Sequence, residues 1–288
     1  MFILTYNIKF EELEKKIELL QINDIFNVFY DSPLEITTND YGYGYLEKAV
    51  DNIDIKIAFE EDKSSLISFS DNISKIIGYD CSNIEEINND YSNYDFPTIT
   101  INDNWIIASP DKEVEGKNKN KINFISEGAF GTGLHETTRD LLEIILTKLD
   151  LNSKSVLDIG TGSGILSIAS SIVGASKVTA LDIRDVRYEV EQNAALNGLY
   201  NINVVVGDAL SENLPFDSYY DWIYINIGGE ETEMFMNFIK NHLSSNGKLL
   251  VSGLVEWSFD KIKSMIEGYG YTLEDKYQSK EWVTAIFK

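Results

Sequence analysis

The stretch Val156-Leu-Asp158-Ile-Gly160-Thr-Gly162-Ser-Gly164 carries a β-branched apolar segment into three glycines at alternate positions. Glycine takes positive φ without steric cost and lets a ligand approach the main chain, so a strand–turn–helix of this kind suits a cofactor held by backbone groups. The dinucleotide fingerprint G-x-G-x-x-G would need a third glycine at 165, where the chain has Ile165. Twenty-two residues after Gly160, Asp182 closes the run Val178-Thr-Ala-Leu-Asp. A carboxylate at the tip of a second strand accepts hydrogen bonds from both hydroxyls of a ribose. Asp208, in Gly207-Asp-Ala209 at the end of a third run, stands where an adenine amino group would be met. Asn226 ends the fourth run, Asp221-Trp-Ile-Tyr-Ile-Asn, and offers an amide oxygen that could orient an amine nucleophile. A tight turn, a surface carboxylate or a loop-capping Asn would account for any one of these alone. Their succession at regular strand ends points to one site.

A second glycine-rich loop, Glu127-Gly-Ala-Phe130-Gly-Thr132-Gly-Leu-His135-Glu-Thr137-Thr138, lies upstream and leads into a helix start, with Thr137 or Thr138 as the expected cap. The only other histidine is His242, and Cys81 is the single cysteine, so no metal site is expected and His135 reads as a structural or cofactor-loop residue.

The elements that position these residues are legible from periodicity. β-Branched runs at 155–159, 177–183, 202–206, 221–225 and 248–252 alternate with helical stretches at 164–173, 186–197, 230–242 and 259–267. Alternation of this length predicts a Rossmann-like, mostly parallel sheet with helices on both faces. The tail 281–287 adds a strand with no following helix, as a final antiparallel strand would. Residues 1–95 read as a small α+β domain, with a helix start at Phe10–Leu20 and alternating, strand-like segments at Ile55–Phe59 and Ser65–Phe69. Residues 96–121 read as a linker ending in the polar tract 111–121, and 122–288 as the cofactor domain.

The chain has 288 residues and a net charge of −23. Residues 1–100 hold 20 acidic and 7 basic side chains. Such a surface repels phosphate backbones and attracts a basic partner, so no direct grip on nucleic acid is expected. No stretch approaches the 18 apolar residues of a membrane span, and the first residues lack the basic start of a secretory signal, so a cytoplasmic setting is expected.

Together the motifs resemble the PrmA family, the bacterial lysine methyltransferases of large-subunit ribosomal protein L-eleven. The resemblance is carried by Gly128-Ala-Phe-Gly-Thr-Gly-Leu-His-Glu-Thr-Thr138, by Val156–Leu166, by the Asp182 strand and by Trp105-Ile-Ile-Ala-Ser-Pro110. Gly247-Lys-Leu-Leu-Val-Ser-Gly253 and Glu281-Trp-Val extend it to the end of the chain. It implies a class I fold that binds S-adenosyl-L-methionine, with Phe130, Thr132, Thr138, Gly160, Gly162, Gly164, Asp182, Asp208 and Asn226 at the cofactor. Asn226 would also serve in catalysis. It further implies an N-terminal docking domain, at about 1–95 here, and a basic protein acceptor, a ribosomal large-subunit protein. Where the family reads Asn-Ile-Leu-Ala, this chain has Asn226-Ile-Gly228-Gly229, a change expected to widen the acceptor pocket.

Methyl transfer to an amine is an in-line displacement, and the protein supplies orientation and a dry site. Deprotonating a lysine costs about 4 to 5 kcal/mol at neutral pH. No carboxylate or histidine pair presents itself as the base, so positioning and proton loss to water are the expected route. A small-molecule or peptide-tailoring N-methyltransferase on the same scaffold is the alternative. A nucleic-acid methyltransferase would want an Asn/Asp-Pro-Pro-aromatic tip and a basic groove, and a non-catalytic module would not need the intact loop with Asp182.

Overall fold

The computed structural model describes residues 1–60, 63–87, 96–113, 119–126, 132–211, 214 and 219–288. The chain divides into two compact units, one of residues 1–37 and 43–94, the other of residues 38–42 and 95–288.

In the first unit, β1 (Phe2–Lys9), α1 (Leu13–Ile22), β2 (Val28–Tyr30), β5 (Asn52–Phe59), α2 (Leu66–Ile77) and β6 (Asn83–Glu86) form a split βαβ arrangement. The sheet is antiparallel in the order β2-β5-β1-β6. Alternate residues Leu4, Tyr6 and Ile8 of β1 and Ile53, Ile55 and Ile57 of β5 are buried with Leu20, Leu66, Ile73 and Ile77 of the two helices. Between β2 and β5 a two-stranded ribbon is inserted, β3 (Leu34–Asn39) and β4 (Gly42–Glu47). The segment 65–69, strand-like in sequence, is the start of α2. Leu66, Ser70, Ile73 and Ile77 are buried at helical spacing, and Gly78 closes the helix at φ 75°. Five residues are too few to separate the two periods once Ser70 is counted among the buried ones.

The second unit holds β7 (Ile99–Thr100), β8 (Trp105–Ala108), β9 (Asn120–Asn123), α3 (Glu136–Thr147), β10 (Ser155–Ile159), α4 (Ile165–Ile172), β11 (Lys177–Asp182) and α5 (Arg187–Leu196). It continues with β12 (Ile202–Val206), β13 (Tyr220–Asn226), α6 (Gly229–His242), β14 (Leu243–Val255), α7 (Phe259–Gly268), β15 (Leu273–Ser279) and β16 (Trp282–Phe287). Its seven-stranded sheet runs β12-β11-β10-β13-β14-β16-β15. The first five strands are parallel, and β16 runs antiparallel to both neighbours. Val156, Val178, Trp222, Tyr224 and Leu250 face α3 and α4 on one side; Leu157, Leu181, Ile223, Ile225 and Leu249 face α6 and α7 on the other. A parallel sheet covered on both faces needs such continuous apolar strands.

Residues 96–121, read as a linker, differ from that expectation. They supply β7, β8 and the start of β9, and Phe96, Ile99 and Ile107 lie in the core around α3. The second unit therefore begins near residue 96, ahead of the expected 122. Pairing of β8 with β9 across a polar tract is a tertiary fact that local periodicity does not carry.

Candidate active site

All the strand-end residues singled out above lie at the carboxyl edge of the parallel sheet, because β10, β11, β12 and β13 run the same way in register. Gly160, Gly162 and Gly164 have φ of 69°, 54° and 77°, a left-handed backbone that side chains resist. A Cβ at Gly160 would also lie 2.7 Å from Ile227 Cδ1, and one at Gly164 2.8 Å from Val190. The turn thus needs glycine for its dihedrals and for the close approach of the β13 loop and α5.

Asp158 sits beneath this turn, fully buried, and its Oδ2 accepts hydrogen bonds from Thr161 Oγ1 at 2.7 Å and Ser167 Oγ at 2.8 Å. Burial pushes its carboxyl up to about 6, against the pull of those hydroxyls. Asp182 is also buried. Its Oδ2 accepts from Gly162 N at 2.9 Å and its Oδ1 from Arg184 N at 3.0 Å, with Arg184 Nε 3.7 Å away. The second-strand carboxylate is therefore tied to the glycine turn itself, and each oxygen keeps a further lone pair for a ligand.

Asn226 ends β13. Its Nδ2 donates to Thr138 Oγ1 at 3.4 Å, and its Oδ1 is buried without a partner among the described residues. A buried amide oxygen left unpaired costs free energy unless a ligand satisfies it. Thr138 is brought there by α3, in whose first turn it is buried. The cap of that helix is His135, whose Nδ1 accepts from Thr137 N at 3.3 Å, and neither threonine holds the cap position. The His135 ring packs edge-on against Trp282 at 4.8 Å, and Lys280 Nζ donates to Glu136 at 2.6 Å, so the β15–β16 turn clasps the helix start.

Asp208 lies exposed at the end of β12, where its Oδ1 caps the following turn by accepting from Leu210 N at 2.9 Å. Thr132 precedes Gly133 (φ 88°) on the approach to α3. Phe130 lies outside the described residues. Gly228 and Gly229 differ from the expectation that they widen an acceptor pocket. The Cβ space at Gly229 is occupied by Tyr41 O at 2.9 Å and Ile262 at 3.0 Å, and that at Gly228 by the Glu231 carboxylate.

Two supports lie outside the motifs that the sequence singles out. Asn193 of α5 and Asn197 at its C-terminal cap each bond a backbone N–H and C=O at the end of β9 or just beyond it: Asn193 with Ile125 at 2.8 and 3.0 Å, Asn197 with Asn123 at 2.9 and 2.8 Å. The signal was two asparagines at i, i+4 on a helix, where asparagine is a poor former. The other support is the Thr161–Ser167 pair holding Asp158. Among the described residues no three potential metal-ligating side chains cluster, and no helix is long and apolar enough to cross a membrane.

Strand order and first-turn geometry place the second unit in class I of the S-adenosylmethionine-dependent methyltransferases. The family model described as ribosomal protein L11 methyltransferase (PrmA) matches residues 9–288, and the chain belongs to that family. A ribosomal protein L11 methyltransferase of Lactobacillus johnsonii is 37% identical over 156 residues, covering 54% of this chain and 48% of the relative. One of Fusobacterium nucleatum is 32% identical over 210 residues, covering 71% of this chain and 65% of the relative. The crystal structure of a ribosomal protein L11 methylase from Lactobacillus delbrueckii subsp. bulgaricus superposes with a TM-score of 0.60 at 28% identity. That match covers 67% of this chain and 98% of the other. The matched stretch spans about half the length of several of the curated relatives.

Proposed function

We propose that this protein transfers methyl groups from S-adenosylmethionine to amines of a basic protein, a large-subunit ribosomal protein of the L11 kind named for its relatives, in the cytoplasm. The observation that carries the reading is the orphaned Asn226 Oδ1, buried at the carboxyl edge beside Thr138 and next to the glycine turn whose Gly162 is held by Asp182. The donor set fits the cofactor: a left-handed turn with glycine at 160, 162 and 164, a carboxylate with lone pairs to spare and an amide oxygen unpaired among the described residues.

S-adenosylmethionine supplies the electrophilic methyl group. Asp182 would accept hydrogen bonds from the ribose hydroxyls, and Gly160, Gly162 and Gly164 would let the main chain lie against the methionine part. Asp208 meets the adenine edge with the carboxylate oxygen its own turn leaves open. Phe130, Thr132 and Thr138 complete the cofactor contacts. Asn226 Oδ1 would accept a hydrogen bond from the incoming amine and so orient it for transfer, while its Nδ2 is anchored on Thr138. The amine gives its proton to water before attack, at a cost of about 4 to 5 kcal/mol for a lysine at pH 7, offset by the exclusion of water and by fixed geometry. Residues 1–95 serve as the acceptor-docking domain.

Incubation of the purified protein with labelled S-adenosylmethionine and purified ribosomal large-subunit proteins tests this. Label on a lysine or N-terminal amine of one basic protein is the expected result. Label only on small amines or peptides would favour a tailoring enzyme on the same scaffold and overturn the protein acceptor.

A further inference from the structure

Among the described residues twenty large apolar side chains are exposed, and nine of them fall within the 25 residues from Ile22 to Leu46. All nine belong to the first unit. They sit at the end of α1, on the short strand β2 and the loop leading to it, and on the ribbon β3–β4. Phe26 is 67% exposed, Ile36 68%, Tyr45 66% and Leu46 62%. The rest of the unit handles its surface in the ordinary way. The helix-covered face of the sheet buries its apolar residues, and the other face carries Thr5, Asn7 and Lys9 on β1 with Asn52, Asp54 and Lys56 on β5. A surface does not concentrate nearly half its exposed large hydrophobics in a tenth of the chain's length without a use for them.

Two further features say what that use is. From Ile22 to Asp51 the chain carries six acidic residues, Asp24, Asp31, Glu35, Asp40, Glu47 and Asp51, against one lysine, Lys48. Glu35 and Glu47 lie exposed on the ribbon strands among the apolar side chains. β2 is an edge strand of its sheet, with one side unpaired by any strand of the described residues. Exposed aromatic and aliphatic anchors interspersed with one sign of charge are the make-up of a protein-binding surface for a partner of the other sign.

We infer that the ribbon β3–β4 and the neighbouring edge strand β2 are the surface that docks the basic acceptor protein, on a part of it away from the methylated amine. Ile36 and Tyr45 are the anchors, and Glu35 and Glu47 are the steering charges. This rests on the protein-acceptor reading given above. A short peptide carrying the target lysine needs no such surface, so the patch separates acceptor recognition from transfer.

The test uses the full chain, purified ribosomal protein L11 as acceptor, and a short peptide spanning its methylated lysine. Two variants are compared with the parent: Ile36→Ser with Tyr45→Ser, and Glu35→Lys with Glu47→Lys. All four side chains are exposed, so melting temperature should not move. Each variant should raise KM for the whole acceptor by about tenfold or more, with kcat at saturation, S-adenosylmethionine affinity and peptide turnover unchanged. The charge-reversed variant should in addition lose the salt dependence of association seen in the parent. An unchanged KM in both variants, with the parent active on the protein, overturns the docking surface alone. A parent that neither binds nor methylates the ribosomal protein overturns the functional reading beneath it. Loss of a parental dimer in light scattering with KM unmoved would assign the patch to self-association and also overturn the proposal.

Discussion

Replacing Gly229 by alanine would put a Cβ 2.9 Å from the carbonyl oxygen of Tyr41 and 3.0 Å from Cδ1 and Cγ1 of Ile262. An unstrained carbon contact needs about 3.5 Å, so both neighbours must yield by roughly half an ångström. Ile262 is fully buried in α7 and cannot swing aside. Tyr41 is fixed as well: Asn39 Oδ1 accepts from Tyr41 N at 2.8 Å and Gly42 N at 3.0 Å, and Lys261 Nζ lies 3.4 Å from the Tyr41 ring centroid. Overpacking of this kind costs about 1–3 kcal/mol. Against it stands the gain of alanine over glycine in a helix, at most about 1 kcal/mol and less in the first turn. The net expectation is a loss of about 1 kcal/mol. Gly228→Ala meets only the far end of Glu231 on an extended backbone at φ 170°, so it should fall within about 0.5 kcal/mol of the parent. Urea denaturation of the two single variants reads the difference directly. If Gly229→Ala stabilises the protein, or Gly228→Ala costs more than Gly229→Ala, the packing argument is wrong and the Gly-Gly pair is open space after all.

Asp182→Ala should weaken S-adenosylmethionine binding by about 1.5–3 kcal/mol, since an ionised acceptor is lost and Gly162 is released with it; calorimetry giving parental affinity would refute the ribose assignment. Asn226→Ala should lower kcat by about 10- to 1000-fold, with some loss of cofactor affinity and little change in melting temperature, because loss of the long bond to Thr138 is set against removal of a buried oxygen that has no partner among the described residues. Turnover near the parental rate at saturating cofactor rejects the role in transfer. Asp158 has a carboxyl raised from 3.8 to about 6 by burial, so the native state favours its protonated form. Its contribution is complete below pH 4 and is lost as the pH climbs through 6. Asp158→Asn escapes that loss, and its stability relative to the parent should rise by up to about 3 kcal/mol between pH 4 and pH 7. A difference that stays flat across this range would show the carboxyl to be ionised throughout.

The parallel sheet was legible because its strands are short apolar, mostly β-branched runs fixed by their own residues, and the helical stretches between them recur at regular length. The glycine turn and Asp182 were legible for a related reason: strand order brings successive strand ends to one edge, so spacing along the chain translates into proximity. The start of α2 was misread because Leu66 and Ile67 fit a strand as well as a helix over five residues, and only burial of Ser70, Ile73 and Ile77 decides between them. The cap of α3 belonged to His135 instead of a threonine because that ring is held in place by Trp282, 147 positions away in the chain. Among the described residues the strands of segment 96–121 pair only with one another and with residues 122–123, β8 with β9 across a polar tract that shows no apolar period, and the bonds from Asn193 and Asn197 to residues 123 and 125 join segments far apart in the chain. Gly229 states the division most clearly. The sequence determined that a side chain is absent there, while the tertiary structure decided that the backbone of Tyr41 and the side chain of Ile262 fill the space, because packing between remote segments is written in no local pattern.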